Sequence, residues 1–322
     1  MSSQVLAKAA RHVGVIGAGT IGTSMAMLFV SRGLSVALYD PQPAVLANTT
    51  RTLKQASIVD LRVTFADSVE AATAGAHFVF EAAPERLELK RQLYRELDEV
   101  TPENVVIATG TSSLLVSDIQ QGLAHPQRVI AAHPFNPPHL VPLVEICGGR
   151  ETSPWAVDWG YDFFLALGRK PIRLRKEAVG HIANRLSAAL YREAVHLVSA
   201  GIASVRDVDD AVRFGPGLRW AVMGPHLLYH LAAGDGGYAQ YLDHLGPTQE
   251  ARWKDLGDPV LSLPLKQELV AGVEAEAAGR DLATLRCQRD QALIAILDVL
   301  KRQDVYAASS EASAVLEGRV EL

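Results

Sequence analysis

A glycine-rich loop and a later acidic residue form the first set of side chains with a chemical meaning. Gly17–Gly22 has the spacing G-x-G-x-x-G between an apolar run and a helical pattern, and the next apolar run ends at Asp40. Such loops place a pyrophosphate at a helix N-terminus, and the acid hydrogen-bonds the adenosine ribose. The charge of Asp40 would repel a 2′-phosphate, so the sequence predicts NAD rather than NADP. The loop residues predicted to contact the cofactor are Gly17, Gly19, Thr20, Ile21 and Gly22.

A histidine and a glutamate form the second set. Among ten histidines, His133 is singled out because it ends a predicted strand and opens the rigid turn His133–Pro138. An imidazole there can take a proton from a substrate hydroxyl near neutral pH, and a carboxylate on its other nitrogen would fix the tautomer. Glu145 lies in the apolar run Val141–Ile146, so its carboxylate requires a partner. His133 is that partner if the two segments run side by side. Spacing alone also allows a structural role for both residues, which is the simpler interpretation.

The elements that position these residues alternate in the first half of the chain. Apolar runs rich in Val, Ile and Ala, with helical patterns between them, predict parallel strands covered on both faces. The predicted fold class is therefore α/β, with a Rossmann-type, mostly parallel sheet over residues 1–176. The predicted strands are His12–Gly17, Leu34–Tyr39, Leu61–Phe65, His77–Glu81, Val105–Ala108, Val129–His133, Leu143–Cys147 and Pro171–Leu174.

Residues 177–322 have long helical patterns and predict an all-α domain for substrate binding and dimerisation. Ser204 and Asp207 predict a helix start with a capping box in which Asp replaces Glu or Gln. The tail Asp304–Leu322 is expected to fray. Apolar helix faces exceed what a small domain needs to bury, which predicts a homodimer, although the same residues could fill the core of one chain. The predicted helices include Ile21–Arg32, His181–Ser199, Leu263–Ala278 and Leu282–Lys301.

Composition excludes several classes of protein. The 322 residues are 48% hydrophobic and 21% charged, which supplies material for a core and argues against disorder. A net charge of −5 gives no footprint for nucleic acid. No apolar stretch is long enough for a membrane helix, and the N-terminus lacks a signal-peptide core. Cys147 and Cys287 can form neither a disulfide framework nor a four-thiolate zinc site, so we expect no metal and a cytoplasmic location.

Six segments together resemble the 3-hydroxyacyl-CoA dehydrogenase superfamily of NAD-dependent enzymes, over about residues 12–300. The resemblance implies that His133 and Glu145 form the catalytic dyad. It also implies that Ser112 and Asn184 contact the reacting oxygen or the nicotinamide. The segments that carry the resemblance are the Gly17 loop, Glu81–Lys90, Thr111–Leu114, His133–Pro138, Leu143–Glu145 and Gly180–Leu186.

The resemblance further implies cofactor contacts at Glu85 and Lys90. This sequence departs from the family pattern in two places. Gly110 stands where the family has an Asn before Thr-Ser-Ser, so one polar contact near the nicotinamide is expected to be missing. The segment between Asp40 and Glu85 is shorter than in acyl-CoA enzymes, where a helical insertion helps to hold CoA. This shorter segment weakens the case for an acyl-CoA substrate.

Two segments of the second half resemble the branch of the superfamily that acts on free hydroxy acids. Phe214–Pro225 contains Gly-Leu-Arg-Trp, and Tyr229–Asp235 contains His-Leu-Ala followed by Gly-Asp. These features are most similar to the carnitine dehydrogenase branch. The pairs Pro137-Pro138 and Gly224-Pro225 also fit the gulonate dehydrogenase branch.

The candidate substrate residues follow from the chemistry of carnitine. Aromatic faces such as Trp220 and Tyr229 can hold its trimethylammonium group by cation–π attraction, and Arg219 can pair with its carboxylate. Helical core or dimer interface is the alternative role of these aromatic residues. We therefore predict NAD-dependent oxidation of a small 3-hydroxy acid, foremost L-carnitine, in a cleft between the domains. Gulonate, another 3-hydroxy acid or a short-chain 3-hydroxyacyl-CoA are alternative substrates, and a non-catalytic NAD-binding structural protein is the alternative from another class.

Overall fold

The computed structural model describes Ala7, residues 9–55 and residues 62–302. The chain divides into two compact units between Leu186 and Ser187. The predicted boundary at 176 falls before this point, in the segment that follows the last strand. The strands of the first unit are β1 (His12–Ile16), β2 (Ser35–Tyr39), β3 (Val63–Phe65), β4 (Phe78–Glu81), β5 (Val106–Thr109), β6 (Val129–Pro134), β7 (Leu143–Gly148) and β8 (Lys170–Arg173).

These strands form one eight-stranded sheet in the order β3-β2-β1-β4-β5-β6-β7-β8. All neighbouring pairs are parallel except β6 and β7, which are antiparallel. The mostly parallel Rossmann-type sheet is thereby confirmed, while the general expectation of parallel pairing is wrong for this pair. The physical reason is the connection 135–142, which is too short for the crossover that parallel neighbours need.

Helices cover both faces of the sheet. Successive strand residues alternate between two buried clusters, with Phe78 and Phe80 in one and Val79 in the other. This alternation explains why the strands are apolar on both faces. The helices of the first unit are α1 (Thr20–Ser31), α2 (Pro43–Gln55), α3 (Val69–Thr73), α4 (Leu87–Val100), α5 (Val116–Ile119) and α6 (Pro154–Ala166), with a 3₁₀ turn at Pro126–Arg128.

The second unit is helical over the residues described. The predicted capping box is confirmed, because the Asp207 N–H donates to Ser204 Oγ at 3.2 Å and the Ser204 N–H donates to Asp207 Oδ2 at 3.3 Å. No helix in the described ranges is both long and apolar enough to cross a membrane, and the tail Asp304–Leu322 lies outside those ranges. The helices are α7 (Ala183–Ser199), which contains the division between the units, α8 (Val205–Phe214), α9 (Pro216–Trp220), α10 (Pro225–Ala232), α11 (Gly237–Asp255), α12 (Leu263–Ala277) and α13 (Leu282–Arg302), with a 3₁₀ turn at Gly234–Gly236.

Candidate active site

The glycine loop joins β1 to α1 with the geometry that phosphate binding requires. Gly17 has a φ of +98°, which favours glycine. A Cβ on Gly22 would lie 1.8 Å from the Gly17 carbonyl oxygen, so only glycine fits there. A Cβ on Gly19 would meet no described atom within 4 Å, which leaves open space beside the start of α1, where Thr20 and Ile21 lie. Contact of these residues with a cofactor stays a prediction.

Asp40 is hydrogen-bonded to this loop, and its contact with the adenosine ribose stays a prediction. Its Oδ2 accepts a hydrogen bond from the Ala18 N–H, and its Oδ1 accepts one from the Gln42 N–H, both at 2.9 Å. The carboxylate therefore ties the end of β2 to the glycine loop. Beside it lies a cavity of about 510 Å³, within the size range of ligand pockets. The residues around this cavity include Gly17, Gly19, Tyr39, Asp40, Pro84 and Leu93, so the residues present fit an adenine dinucleotide.

Glu85 organises the loop that carries Ser112. Its Oε1 accepts hydrogen bonds from Thr111 Oγ1 at 2.5 Å, from the Ser112 N–H at 2.9 Å and from the Ser113 N–H at 2.8 Å. Burial alone would raise the pKa of Glu85, but the bonds from Thr111 and Ser113 and the charge of Lys90 lower it below its ordinary value. A carboxylate thus fixes the Ser112 backbone, and the predicted contacts of Glu85 and Ser112 with ligands stay predictions.

Lys90 lies beneath this loop. Its side chain is 1% exposed, and Nζ donates to Glu81 Oε1 at 2.5 Å and to the Ala83 carbonyl at 3.2 Å. Glu81 is fully buried and also accepts a bond from Thr109 Oγ1 at 2.8 Å. The ammonium of Lys90 is therefore engaged inside the first unit, so its predicted cofactor contact stays untested and its observed role is to neutralise Glu81. Sequence reasoning missed Glu81, although an acid that ends a buried strand was a usable signal.

Gly110 lies close to residues of the neighbouring strand β4. A Cβ at this position would lie 2.8 Å from the Phe80 ring and 3.2 Å from the Glu81 carbonyl oxygen. No larger side chain fits unless Phe80 moves. The space at this position therefore favours glycine over the Asn of the family pattern.

His133 and Glu145 form a buried hydrogen-bonded pair. The antiparallel register of β6 and β7 places them directly opposite each other, with His133 Nδ1 2.9 Å from Glu145 Oε2. His133 is 4% exposed and Glu145 is fully buried. Burial would raise the pKa of Glu145, but hydrogen bonds from His133 and from the N–H groups of Ala183 and Ile182 lower it. Glu145 is therefore a carboxylate, and because a carboxylate only accepts hydrogen bonds, Nδ1 is the donor of this bond. In the neutral ring, Nε2 then has the lone pair.

The second oxygen of Glu145 holds the start of α7. Oε1 accepts hydrogen bonds from the Ile182 N–H at 2.8 Å and the Ala183 N–H at 3.0 Å. These are N–H groups at a helix start, where a negative charge is stabilised. The half-buried Asn184 is the second residue of this helix, so the same carboxylate positions the segments that carry His133 and Asn184. The role predicted for Asn184 stays a prediction.

His181 is a functional candidate that sequence reasoning did not single out. Its ring stacks on the His133 ring with centroids 4.8 Å apart and an interplanar angle of 26°. The residue stood within the Gly180–Leu186 segment of the family resemblance, but nothing in its spacing indicated contact with His133. The contact arises because Glu145 anchors the residues that follow His181.

The candidate substrate residues lie in the second unit. Arg219 and Trp220 end α9, and Tyr229 lies in α10. Tyr229 stacks on Tyr241 with centroids 4.5 Å apart, and Tyr238 lies nearly parallel to Tyr241 at 6.0 Å. Trp220 is 44% exposed and Tyr229 is 41% exposed, so both rings have accessible surface. Their contact with a substrate, and the predicted cleft, stay predictions.

The fold and these contacts define the class of protein as an NAD-dependent dehydrogenase. The model of the NAD-binding domain of 3-hydroxyacyl-CoA dehydrogenase matches residues 12–178, and the model of its C-terminal domain matches residues 180–261. The chain therefore belongs to the 3-hydroxyacyl-CoA dehydrogenase family, and the family resemblance and the choice of NAD are confirmed.

Individual relatives span nearly the whole chain. An L-carnitine dehydrogenase of Nocardiopsis dassonvillei is 43% identical over 95% of this chain and 97% of its own length. One of Streptomyces coelicolor is 44% identical over 89% of this chain and 94% of its own length. Among solved structures, 5-formyl-3-hydroxy-2-methylpyridine 4-carboxylic acid 5-dehydrogenase, described as an NAD+ dependent dismutase, is 27% identical with a TM-score of 0.78. That alignment covers 91% of this chain and 99% of the other.

Proposed function

We propose that this protein oxidises L-carnitine at its 3-hydroxyl group to the 3-oxo acid with NAD+. The observation that carries the reaction is the buried hydrogen bond between His133 Nδ1 and Glu145 Oε2, at 2.9 Å. The choice of substrate is supported by the relatives named L-carnitine dehydrogenase, which are 37–44% identical to this chain. The residues of the Gly17 loop, with Asp40, would hold the cofactor.

The side chains of the first unit would carry out the proton transfer. His133 Nε2 accepts the hydroxyl proton of the substrate, and Glu145 stabilises the imidazolium that forms. Ser112 and Asn184 orient the reacting oxygen. When bound, NAD+ would accept the hydride from the carbon that bears the hydroxyl group. The base role of His133 Nε2 rests on the hydrogen bond between Nδ1 and Glu145.

Aromatic residues of the second unit would recognise the trimethylammonium group. Tyr241 packs against one face of Tyr229, which fixes the Tyr229 ring without any ligand. A fixed ring loses little conformational freedom on binding, and cation–π attraction to it contributes about 0.5–2 kcal/mol. Trp220 would supply a second ring, and Arg219 would pair with the carboxylate. A sugar acid such as L-gulonate would require several hydroxyl partners instead.

A substrate panel tests the proposal. NADH formation is measured with L-carnitine, L-gulonate, 3-hydroxybutyrate and 3-hydroxybutyryl-CoA. We expect the highest kcat/KM with L-carnitine. Preference for gulonate or for the CoA ester would refute the substrate, and no turnover of any hydroxy acid would refute the enzymatic proposal in favour of a binding protein.

Two variants test the aromatic recognition separately. Trp220→Ala and Tyr229→Ala should raise KM for L-carnitine several-fold more than KM for 3-hydroxybutyrate, which has no ammonium group. The matched control is Phe65→Ala, which removes an exposed ring on the edge strand β3 of the first unit and should change neither. Equal effects on the two substrates would reject the aromatic cage.

We also propose that the protein is a homodimer in the cytoplasm. Helix α13 is 21 residues long yet contributes no buried residue within the described chain, and Leu282, Ile294 and Ile296 on it are exposed. Such apolar surface indicates a partner, and the exposed thiol of Cys287 suits a reducing compartment. Sedimentation equilibrium should give twice the chain mass, and a monomer at micromolar concentration would reject the dimer.

A further inference from the structure

His181 contacts both halves of the candidate active site. The face of its ring stacks on His133, as described above, and its Nε2 lies 2.9 Å from the Thr111 carbonyl oxygen. Thr111 directly precedes Ser112 in the loop that Glu85 holds. One buried side chain thus bridges the imidazole that takes the proton and the loop that carries a proposed oxygen contact.

The protonation of His181 is set by these neighbours. A carbonyl oxygen can only accept a hydrogen bond, so Nε2 carries the proton and Nδ1 of the neutral ring has a lone pair. Within the part of the chain that the structure describes, that Nδ1 is buried without a hydrogen-bond partner. Burial lowers the pKa of His181, and His133 lowers it further, against the opposing effects of the Thr111 carbonyl, Glu145 and Glu85. His181 is therefore neutral at pH 7, beside a ring that must become positive during turnover.

The backbone of His181 shows that its position is imposed by its surroundings. Its φ is +50°, in the left-handed region, although it is not a glycine. This conformation is uncommon for a residue other than glycine, and contacts with neighbouring residues hold it in place. Those contacts are the stack on His133, the bond to Thr111 and the anchoring of the next two N–H groups by Glu145.

We propose that His181 is a positioning residue that keeps His133 and Ser112 at a fixed separation. Its ring face sets the plane of the His133 imidazole, and its Nε2–H holds the Thr111–Ser113 loop. The inference rests on the proposed role of His133 as the base. Because a displacement of about 1 Å in a catalytic group can lower the rate about 100-fold, a bridge between the two groups has a direct effect on kcat.

Three substitutions separate the two contacts of His181. His181→Phe keeps a flat ring for the stack and loses the donor. His181→Gln keeps an N–H donor with similar reach and loses the ring, and His181→Ala loses both. We expect kcat with L-carnitine to fall about tenfold in the Phe and Gln variants and about 100-fold in the Ala variant, with KM for NAD+ changed less than kcat. The matched control is His12→Phe, which removes a histidine that bonds Ser35 at the start of β1 and should leave kcat unchanged.

A measurement without substrate tests the same inference. In histidine-labelled protein, the ring resonances of His133 are shifted by the stacked His181 ring. His181→Phe should retain most of that shift, whereas His181→Gln should abolish it. The inference is overturned if both variants keep the wild-type kcat, or if the His133 resonances do not move in His181→Gln. If the wild-type protein oxidises no hydroxy acid, the proposed function fails, and the resonances alone decide on the stacking role of His181.

Discussion

Glu145→Gln is the most informative single substitution, because the surroundings of Glu145 dictate what an amide must do there. Oε1 accepts two backbone N–H groups and Oε2 accepts the Nδ1 proton of His133. A Gln that keeps its oxygen on the backbone groups turns its NH₂ toward His133. The imidazole must then accept through Nδ1 and carry its proton on Nε2, which removes the base. The opposite orientation places the NH₂ against two donors and leaves them unsatisfied.

The opposite orientation would keep the Nε2 lone pair, but it costs two backbone hydrogen bonds, so the first orientation is favoured. The favoured orientation removes general-base catalysis while keeping the volume of the side chain. The expected loss in kcat is about 100- to 10,000-fold, equivalent to about 3–5 kcal/mol of transition-state stabilisation. The assay is NADH formation at saturating NAD+ and L-carnitine, with NAD+ affinity measured in parallel. The control is Glu177→Gln, a matched change at a carboxylate that bonds Ser117, which should keep wild-type turnover. A kcat for Glu145→Gln within about twofold of wild type, worth less than 0.5 kcal/mol, would refute the assignment of the tautomer.

Three further predictions concern the cofactor loop and stability. Gly19→Ala should keep the wild-type Tm, since its Cβ meets only open space, but it should weaken NAD+ binding at least about tenfold, or 1.4 kcal/mol, because that space is where the pyrophosphate would lie. Gly22→Ala should lower Tm, because its Cβ would overlap a backbone carbonyl. Equal Tm values for the two variants would contradict this prediction. Asp40→Asn should lower the ratio of kcat/KM for NAD+ to that for NADP+, and an unchanged ratio would show that the charge does not select the cofactor. Asp98→Asn should reduce the free energy of unfolding in urea at pH 7 by about 3–5 kcal/mol, because the buried Arg128 loses its carboxylate and keeps only neutral partners such as the Thr101 carbonyl. The gap to wild type should close as the pH falls below about 4, since Arg128 holds the pKa of Asp98 low against the effect of burial; a pH-independent gap would contradict this cause.

The sheet and the His133–Glu145 pair were accessible from the sequence because they depend on local patterns. Strand periodicity located β6 and β7, and a buried acid in an apolar run required a partner nearby in the chain. His181 was not accessible, because its partner Thr111 lies 70 positions away and its backbone conformation is imposed by tertiary contacts. The bond between Lys90 and Glu81 was missed for a related reason. The family pattern implied a cofactor contact for Lys90, which stays a prediction, and gave no indication of its bond to the buried carboxylate at the end of β4.

Substrate recognition could not be derived from the sequence in the same way. Aromatic residues at helical spacing fit a core, an interface or a cation cage equally well. The structure adds that Tyr229 is stacked and still accessible on part of its surface, which no periodicity indicates. The sequence therefore predicts the contact between His133 and Glu145 more directly than it predicts which residues would bind a substrate.

Glu145 bonds His133 through one oxygen and the start of α7 through the other, which has a consequence for how this site can evolve. The proposed reactivity of His133 and the anchorage of α7 both depend on Glu145, so a substitution at position 145 affects both. A substitution of Glu145 that alters turnover would also loosen the first turn of that helix. Adaptation to new substrates is accordingly expected at residues remote from this shared anion, where a change affects one property at a time.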